Sequence, residues 1–240
     1  MTTKRSLKIG WLYPELMSTY GDRGNIIVLT KRAEWRGIKV KVERISIGSK
    51  IEGLRSSDLI FMGGAQDTQQ EIVNKDLFSV KGKALKEKIE EGIPGLYICG
   101  AYQFLGRYYK TADGKKLPGL GIFPAYTENP GTSRLIGNVI IERDGQEIVG
   151  FENHGGRTYL EDNSIAFGKV IKGHGNNGKD KTEGIIYKNS IGSYLHGPIL
   201  PKNPELADWL ISKALGIELG PLNDTLENKA KTTIVNRLRS

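Results

Sequence analysis

The chain has one cysteine, Cys99, and its neighbours give it a setting in which a thiol can act as a nucleophile. Leu96, Tyr97 and Ile98 form a short apolar run of the buried parallel-strand kind, and Tyr102-Gln103-Phe104-Leu105 opens a segment with helical spacing of bulky residues. Cys99 therefore falls on a sharp turn from strand to helix, with its sulfur directed into a cleft. The free N–H groups of the following helix favour a thiolate there. The N–H of Gly100, next in the chain, is a natural oxyanion donor. A lone cysteine is more often a small core residue than a nucleophile. The small residues Gly100 and Ala101 favour the nucleophile, because a crowded elbow requires them and a core position does not.

A cysteine nucleophile needs a base, and the candidates are His154, His174 and His196. His196 follows the apolar strand Ile191–Leu195 and precedes Gly197-Pro198, a strand end at which an imidazole is held rigidly. A histidine that merely caps a strand edge is the plainer alternative. His154, beside Glu152 and Asn153, reads as a structural hydrogen-bonding residue. Gly63-Gly64 also follows a strand and is at least a turn, while Arg134 is a lone arginine of a kind usually solvated. Gly173-His174-Gly175-Asn176-Asn177-Gly178 satisfies G-x-G-x-x-G in form only. Lys179-Asp180-Lys181-Thr182 follows it where a helix would have to open, so no dinucleotide site is expected. No phosphate-binding loop of the G-x-x-x-x-G-K-[ST] type occurs, and three histidines with one cysteine give no metal-ligand spacing.

The run Tyr-Ile-Cys-Gly-Ala-Tyr-Gln-Phe-Leu-Gly resembles the nucleophile elbow of class I glutamine amidotransferases, in the branch that includes cobyric acid synthase. Four other stretches sharpen the resemblance to the glutaminase subunits of lipid II isoglutaminyl synthases: Phe61–Asp67, Gly150–Tyr159, Gly173–Gly178 and Ser193–Pro198. The resemblance covers roughly residues 7–215. It implies Cys99 as nucleophile, His196 as base, Gly64 (or a neighbour) with Gly100 as oxyanion donors, and Arg134 and Gln103 as contacts to substrate. Two departures stand out. Pro198 occupies the position at which the wider family has a glutamate that orients the histidine, as in the cobyric-acid-synthase-like branch, so the orienting group of His196 is left open between a dyad and a triad completed from elsewhere. Tyr97 stands where related elbows often have glycine.

The resemblance further implies that L-glutamine is hydrolysed through a Cys99 thioester and the ammonia passed to a separate ATP-dependent subunit, a MurT-type Mur-ligase-like protein. That partner would amidate the α-carboxyl of D-glutamate in lipid II during peptidoglycan synthesis. ATP and magnesium are then expected on the partner, and no cofactor on this chain. An amidotransferase serving another acceptor, such as a corrinoid, keeps the same chemistry. A non-catalytic partner-binding module is the rival from another class, and the intact set of Cys99, His196 and Gly63-Gly64 argues against it.

Composition agrees with an ordinary globular enzyme: 38% hydrophobic and 26% charged, with 31 glycines that call for many tight turns. The amino-terminal apolar run is cut by Pro14 and Glu15, so no signal peptide is expected, and no stretch reaches the ~18 apolar residues that span a bilayer. With one cysteine, a reducing cytoplasm is the expected compartment. The net charge of +8 comes from residues interspersed with acids, without a nucleic-acid-binding signature.

The elements that must position these residues alternate. Strands are expected at Ile9–Tyr13, Ile38–Glu43, Asp58–Met62 and Pro94–Ile98, and helices over Asn25–Trp35, from Gln66 onwards and over Val80–Glu91. This is the pattern of a three-layer α/β fold with a mostly parallel central sheet, whose site lies at the carboxyl ends of the strands. Beyond Gly106 a hairpin turning at Asp144-Gly145, strands at Ile165–Lys172 and Gly184–Leu195, and a helix over Asn203–Leu215 are expected as antiparallel additions and a final cover. A single domain, 1–240, follows, with residues 217–240 either docked as a last helix or frayed.

Overall fold

A computed structural model of the chain describes residues 6–65 and 67–239. Its largest sheet contains β1 (Ser6–Leu12), β2 (Lys39–Ile45), β3 (Leu59–Met62), β4 (Gly95–Ile98), β13 (Ile185–Tyr187) and β14 (Ser190–Ser193), in the order β13-β14-β4-β3-β1-β2. Every pairing is parallel except that of β13 with β14. The central strands β3 and β4 are buried along their whole length, as continuous apolar runs covered on both faces must be. The edge strand β2 instead alternates between exposed and half-buried residues from Lys39 to Val42 and ends on the buried Ile45.

The helices α1 (Arg23–Glu34), α2 (Glu52–Arg55), α3 (Asp67–Asp76) and α4 (Gly82–Glu90) connect these strands. The chain steps outward from β1 to β2, then back across β1 to β3 and on to β4. Right-handed crossovers in opposite directions place α1 on one face of the sheet and α2 to α4 on the other. The observed packing agrees: α2 lies against α4, whereas α1 lies against α6 (Pro204–Leu215). Three layers result, and the ends of β3, β4 and β14 bring Gly64, Cys99 and His196 to one edge.

Two further sheets close over that edge. One sheet has the order β10-β7-β5-β6, from β5 (Tyr108–Lys110), β6 (Lys116–Pro118), β7 (Ala125–Glu128) and β10 (Arg157–Leu160). The other has the order β12-β11-β8-β9, from β8 (Leu135–Arg143), β9 (Gln146–His154), β11 (Gly168–Lys172) and β12 (Thr182–Glu183). The expectation of antiparallel additions holds for only the second of them, because β5 pairs with β7 in parallel in the first. The β8–β9 hairpin turns at Asp144 (φ +52°) and Gly145 (φ +76°), as the Asp-Gly pair predicts. The short helix α5 (Gly100–Leu105) follows Cys99.

The tail forms α7 (Thr225–Arg239), which sets Val235 against Ile140 and Val149 of the β8–β9 hairpin. The segment leading to it is tied down by the buried Arg32 of α1, which binds Asp208 of α6 and Asp224, each with two nitrogens at 2.6–3.1 Å.

Three further expectations change. Gly184–Leu195 is not one bent strand but the β13–β14 hairpin, reversed at Lys188 with φ +54°. The strand expected from Ile165 begins only at Gly168, after a 3-10 turn over Asn163–Ile165. The helix expected from Val80 begins at Gly82, because Leu77–Lys81 form a π-helical turn. Gln66, where the preceding helix was expected to begin, lies outside the described residues.

Candidate active site

Cys99 leaves β4 with φ +52° and ψ −105°, a conformation that residues with a Cβ seldom adopt. Its N–H donates to the Ser193 carbonyl at 2.8 Å and its carbonyl accepts from the Gln103 N–H at 3.0 Å, so both ends of the strained peptide are anchored. Gly100 lets the Gln70 side chain pack close: a Cβ there would lie 2.8 Å from Gln70 Nε2 and would displace it. The departure at Tyr97 is absorbed next door. A Cβ on Gly95 would stand 2.5 Å from the Tyr97 ring, so that glycine makes room for the buried tyrosine, which packs edge-on against Phe123.

His196 begins where β14 ends. Its backbone is clamped to Phe151 of β9 by two hydrogen bonds, of 2.7 and 3.2 Å, and its ring is fully buried. Nδ1 lies 3.4 Å from Oδ1 of Asp22, also fully buried. Burial by itself would depress the imidazole, but its hydrogen bonds to Asp22 and Cys99 and their negative charge outweigh that and push its pKa up to about 10.

Asp22 was not singled out from the sequence. An aspartate just before a helix reads as an N-cap, yet here its side chain makes no cap bond. It turns inward, and its other oxygen, Oδ2, accepts the Gly64 N–H at 2.7 Å.

That bond corrects the expectation for Gly64. Its N–H is already engaged by Asp22 rather than presented to substrate, while its neighbour Ala65 lines the cavity beside Cys99. What position 64 supplies is the lack of a side chain, since a Cβ there would lie 2.9 Å from His196 Cε1 and 3.2 Å from Cys99 Cβ. The Pro198 departure also has a local reason. A Cβ on Gly24 would be 2.4 Å from Pro198 Cγ, so α1 sits directly on the proline and brings the Asp22 loop to His196.

Cys99 and His196 open into a cavity of about 470 Å³ that Gln103 and Arg134 also line. Arg134 sits at its exposed rim, where Nε and Nη2 donate at 2.7 Å to the side-chain and backbone oxygens of Asn153. Gln103 donates through Nε2 to the Tyr194 hydroxyl at 3.1 Å, and that hydroxyl is 2.7 Å from Thr158 Oγ1. Four of the six residues expected from the sequence thus share one cavity, and the other two, Gly64 and Gly100, crowd its Cys99 end.

His154 lines the same cavity but is held differently. Nδ1 is bonded to the Gly156 carbonyl at 2.7 Å, and the ring stacks on Tyr194 with centroids 3.6 Å apart. Nε2 lies 3.6 Å from Glu152, whose two oxygens already accept the N–H groups of His174 and Gly175 at 2.8 and 2.9 Å. Burial lowers the pKa of His154 despite Glu152. The glycine-rich Gly173–Gly178 stretch is therefore a loop folded onto a buried carboxylate. Among the described residues no cluster of histidine, cysteine and acidic groups is placed to hold a metal ion.

Comparison with known proteins matches residues 8–204 to the model of CobB/CobQ-like glutamine amidotransferase domains. The chain is 48% identical to the GatD subunit of the glutamine-hydrolysing lipid II isoglutaminyl synthase of Staphylococcus aureus (strain N315), over 92% of this chain and 91% of that one. It is 42% identical to the subunit of the same name in Streptococcus pneumoniae (strain ATCC BAA-255 / R6), over 89% and 82%. Cobyric acid synthase of Pelotomaculum thermopropionicum is more distant, at 29% over 75% of this chain and 36% of its own length. Among solved structures, a glutamine amidotransferase from Thermotoga maritima superposes with a TM-score of 0.53 at 17% identity, covering 97% of this chain and 95% of that one, and shares the fold. The chain belongs to the CobB/CobQ-like glutamine amidotransferase family and is a glutamine-hydrolysing enzyme subunit.

Proposed function

We propose that this chain is the glutaminase subunit of a lipid II isoglutaminyl synthase. Cys99 is its nucleophile, and a separate MurT-type ATP-dependent ligase uses the ammonia it releases. The observation that carries the chemistry is the single cavity in which the strained Cys99 elbow meets a histidine whose proton is held to about pH 10. A thiolate beside an imidazolium is the reactive form of such a pair. The acceptor rests on the two relatives of 48% and 42% identity.

In this reading Arg134 at the rim binds the α-carboxylate of glutamine, which directs the carboxamide inward towards Gln103 and Cys99. The Cys99 thiolate attacks the carboxamide carbon, and the developing oxyanion is met by the Gly100 N–H and, because Gly64 is engaged, by the N–H of Ala65. His196 gives its proton to the leaving nitrogen, ammonia departs, and a glutamyl thioester remains. Two of the interactions that hold the His196 proton come from Cys99. They vanish when the sulfur is acylated, so the imidazole is now free to take a proton from water. The hydroxide adds to the thioester, and collapse of that intermediate expels the Cys99 thiolate and releases glutamate.

Carboxyl amidation also requires activation of the acceptor, normally as an acyl phosphate, and the sequence carries no recognisable phosphate-binding loop. The ligase must therefore dock so that ammonia, largely protonated in neutral water, travels by a sheltered path. No helix among the described residues is long and apolar enough to cross a membrane. A cytoplasmic location is part of this proposal, since a thiol nucleophile works in a reducing compartment. The test is glutamine-dependent amidation of lipid II by the purified chain with and without its ligase. Amidation is expected only with both proteins and only with Cys99 intact. Amidation by the single chain, or by the pair carrying Cys99→Ala with glutamine as nitrogen donor, would overturn the proposal.

A further inference from the structure

We infer that Asp22, on the loop before α1, is the positioning residue that completes a Cys99–His196–Asp22 triad, one carboxylate setting the tautomer of the base and the register of the oxyanion loop together. The inference rests on the proposed roles of Cys99 and His196. It starts from a group that needs explanation: a carboxyl with no exposure to solvent, at a helix start where the usual cap bond is missing. Its two oxygens are divided between two parts of the site, Oδ1 at 3.4 Å from His196 Nδ1 and Oδ2 at 2.7 Å from the Gly64 N–H. A carboxylate facing Nδ1 requires that nitrogen to carry hydrogen, which directs Nε2 to the thiol side and stabilises the imidazolium once it forms. Its reach of 3.4 Å is long, as catalytic hydrogen bonds often are before substrate closes the site.

The second bond gives Asp22 a role that a glutamate two residues after the histidine would not have. The Gly64 carbonyl accepts both the backbone N–H and the hydroxyl of Thr19, at 3.1 and 2.5 Å. With Asp22 on its N–H, the peptides around Gly64 are fixed from both sides by the same loop, Thr19–Asp22. That orientation leaves the next residue, Ala65, lining the cavity. The packing of Gly24 against Pro198 is what allows the loop to come so close.

The test uses Asp22→Asn and Asp22→Glu in the full chain, assayed with its ligase for release of glutamate, with Cys99→Ala and His196→Ala as controls. Asparagine keeps an oxygen for the Gly64 N–H but turns an amide donor towards Nδ1, which favours the wrong tautomer. The expected result is a fall in kcat of the order of 10²–10⁴-fold with KM for glutamine changed little, and partial recovery in Asp22→Glu. The ionisable groups bearing on the ring are Asp22 and Cys99. NMR titration of His196 is therefore done in a Cys99→Ala background, where adding Asp22→Asn is expected to lower the histidine pKa. A kcat within threefold of wild type, or a loss accompanied by lower thermal stability and an unmoved His196 titration, overturns the inference. If Cys99→Ala itself still hydrolyses glutamine, the nucleophile assignment fails, and the triad with it.

Discussion

Two histidines line the cavity, each beside a buried carboxylate, and the surroundings push them in opposite directions. His196 is 3.4 Å from Asp22 and its pKa rises to about 10, while His154 is 3.6 Å from Glu152 and its pKa falls. Distance to the acid does not separate them. The difference is what else each acid and each ring does. Asp22 commits one oxygen to a backbone N–H and keeps the other for the ring, whereas both oxygens of Glu152 already accept amide N–H groups. His196 also has the Cys99 thiol beside it, while His154 has the repelling charge of Arg157 and the face of Tyr194. Under the proposed function, the second partner of each member is what makes one histidine–acid pair a base and the other a strut.

The largest effect expected from this contrast is on turnover. His196→Ala is expected to lower glutamine hydrolysis by about 10⁴-fold or more, as loss of a member of a nucleophile–base unit does. His154→Gln should keep activity within about tenfold of wild type and lower thermal stability instead. Steady-state rates of the two variants, with melting temperatures to show that both are folded, make the comparison. Equal loss in two folded variants would break the distinction and put His154 in the chemistry.

Sequence alone separated the two histidines only in part, and the reason is physical. The Cys99 elbow is written in adjacent residues, since an apolar strand, two small residues and a helix start determine it locally. The place of His196 is equally local, at the end of an apolar strand before Gly197. Asp22 reaches its partner across 174 residues of chain, and nothing near Asp22 shows that its side chain turns inward rather than capping α1. The parallel sheet was legible because four-residue runs such as Leu59–Met62 are wholly apolar. The β10-β7-β5-β6 sheet was not, because its strands are three or four residues long and contain Lys110, Lys116 and Arg157, which give no clean alternation.

A smaller effect is expected at the rim. Arg134 is held by Asn153 at the exposed rim of the cavity, and in the proposed function it contributes to binding rather than to the chemistry. A charge-assisted bond to a carboxylate is worth about 1.5–3 kcal/mol, so Arg134→Ala should weaken kcat/KM for glutamine by roughly 10- to 150-fold, mainly through KM. The variant should gain no further penalty from an analogue that lacks the α-carboxylate. Wild-type kinetics would return Arg134 to the solvated surface.

The smallest effect is in the pH dependence of stability, and it tests the contrast without any turnover. His196 has a folded pKa above its unfolded value of 6.5, so its ion pair stabilises the fold fully below pH 6.5, and that contribution is lost as pH rises through about 10. His154 has a folded pKa below 6.5, so it behaves inversely: its contribution is intact above pH 6.5 and is lost as pH falls, because the unfolded ring takes up a proton that the buried ring resists. Other groups add their own slopes, notably the buried Glu183, whose carboxyl is raised to about 7 and weakens the fold as pH climbs from 4.5 to 7. Each histidine is therefore read as a difference between wild type and variant. Urea midpoints measured between pH 5 and 10 should show His196→Gln flattening the alkaline limb alone and His154→Gln the acid limb alone. If both substitutions flatten the same limb, the two rings share one electrostatic environment and the opposition drawn from Asp22 and Glu152 is wrong.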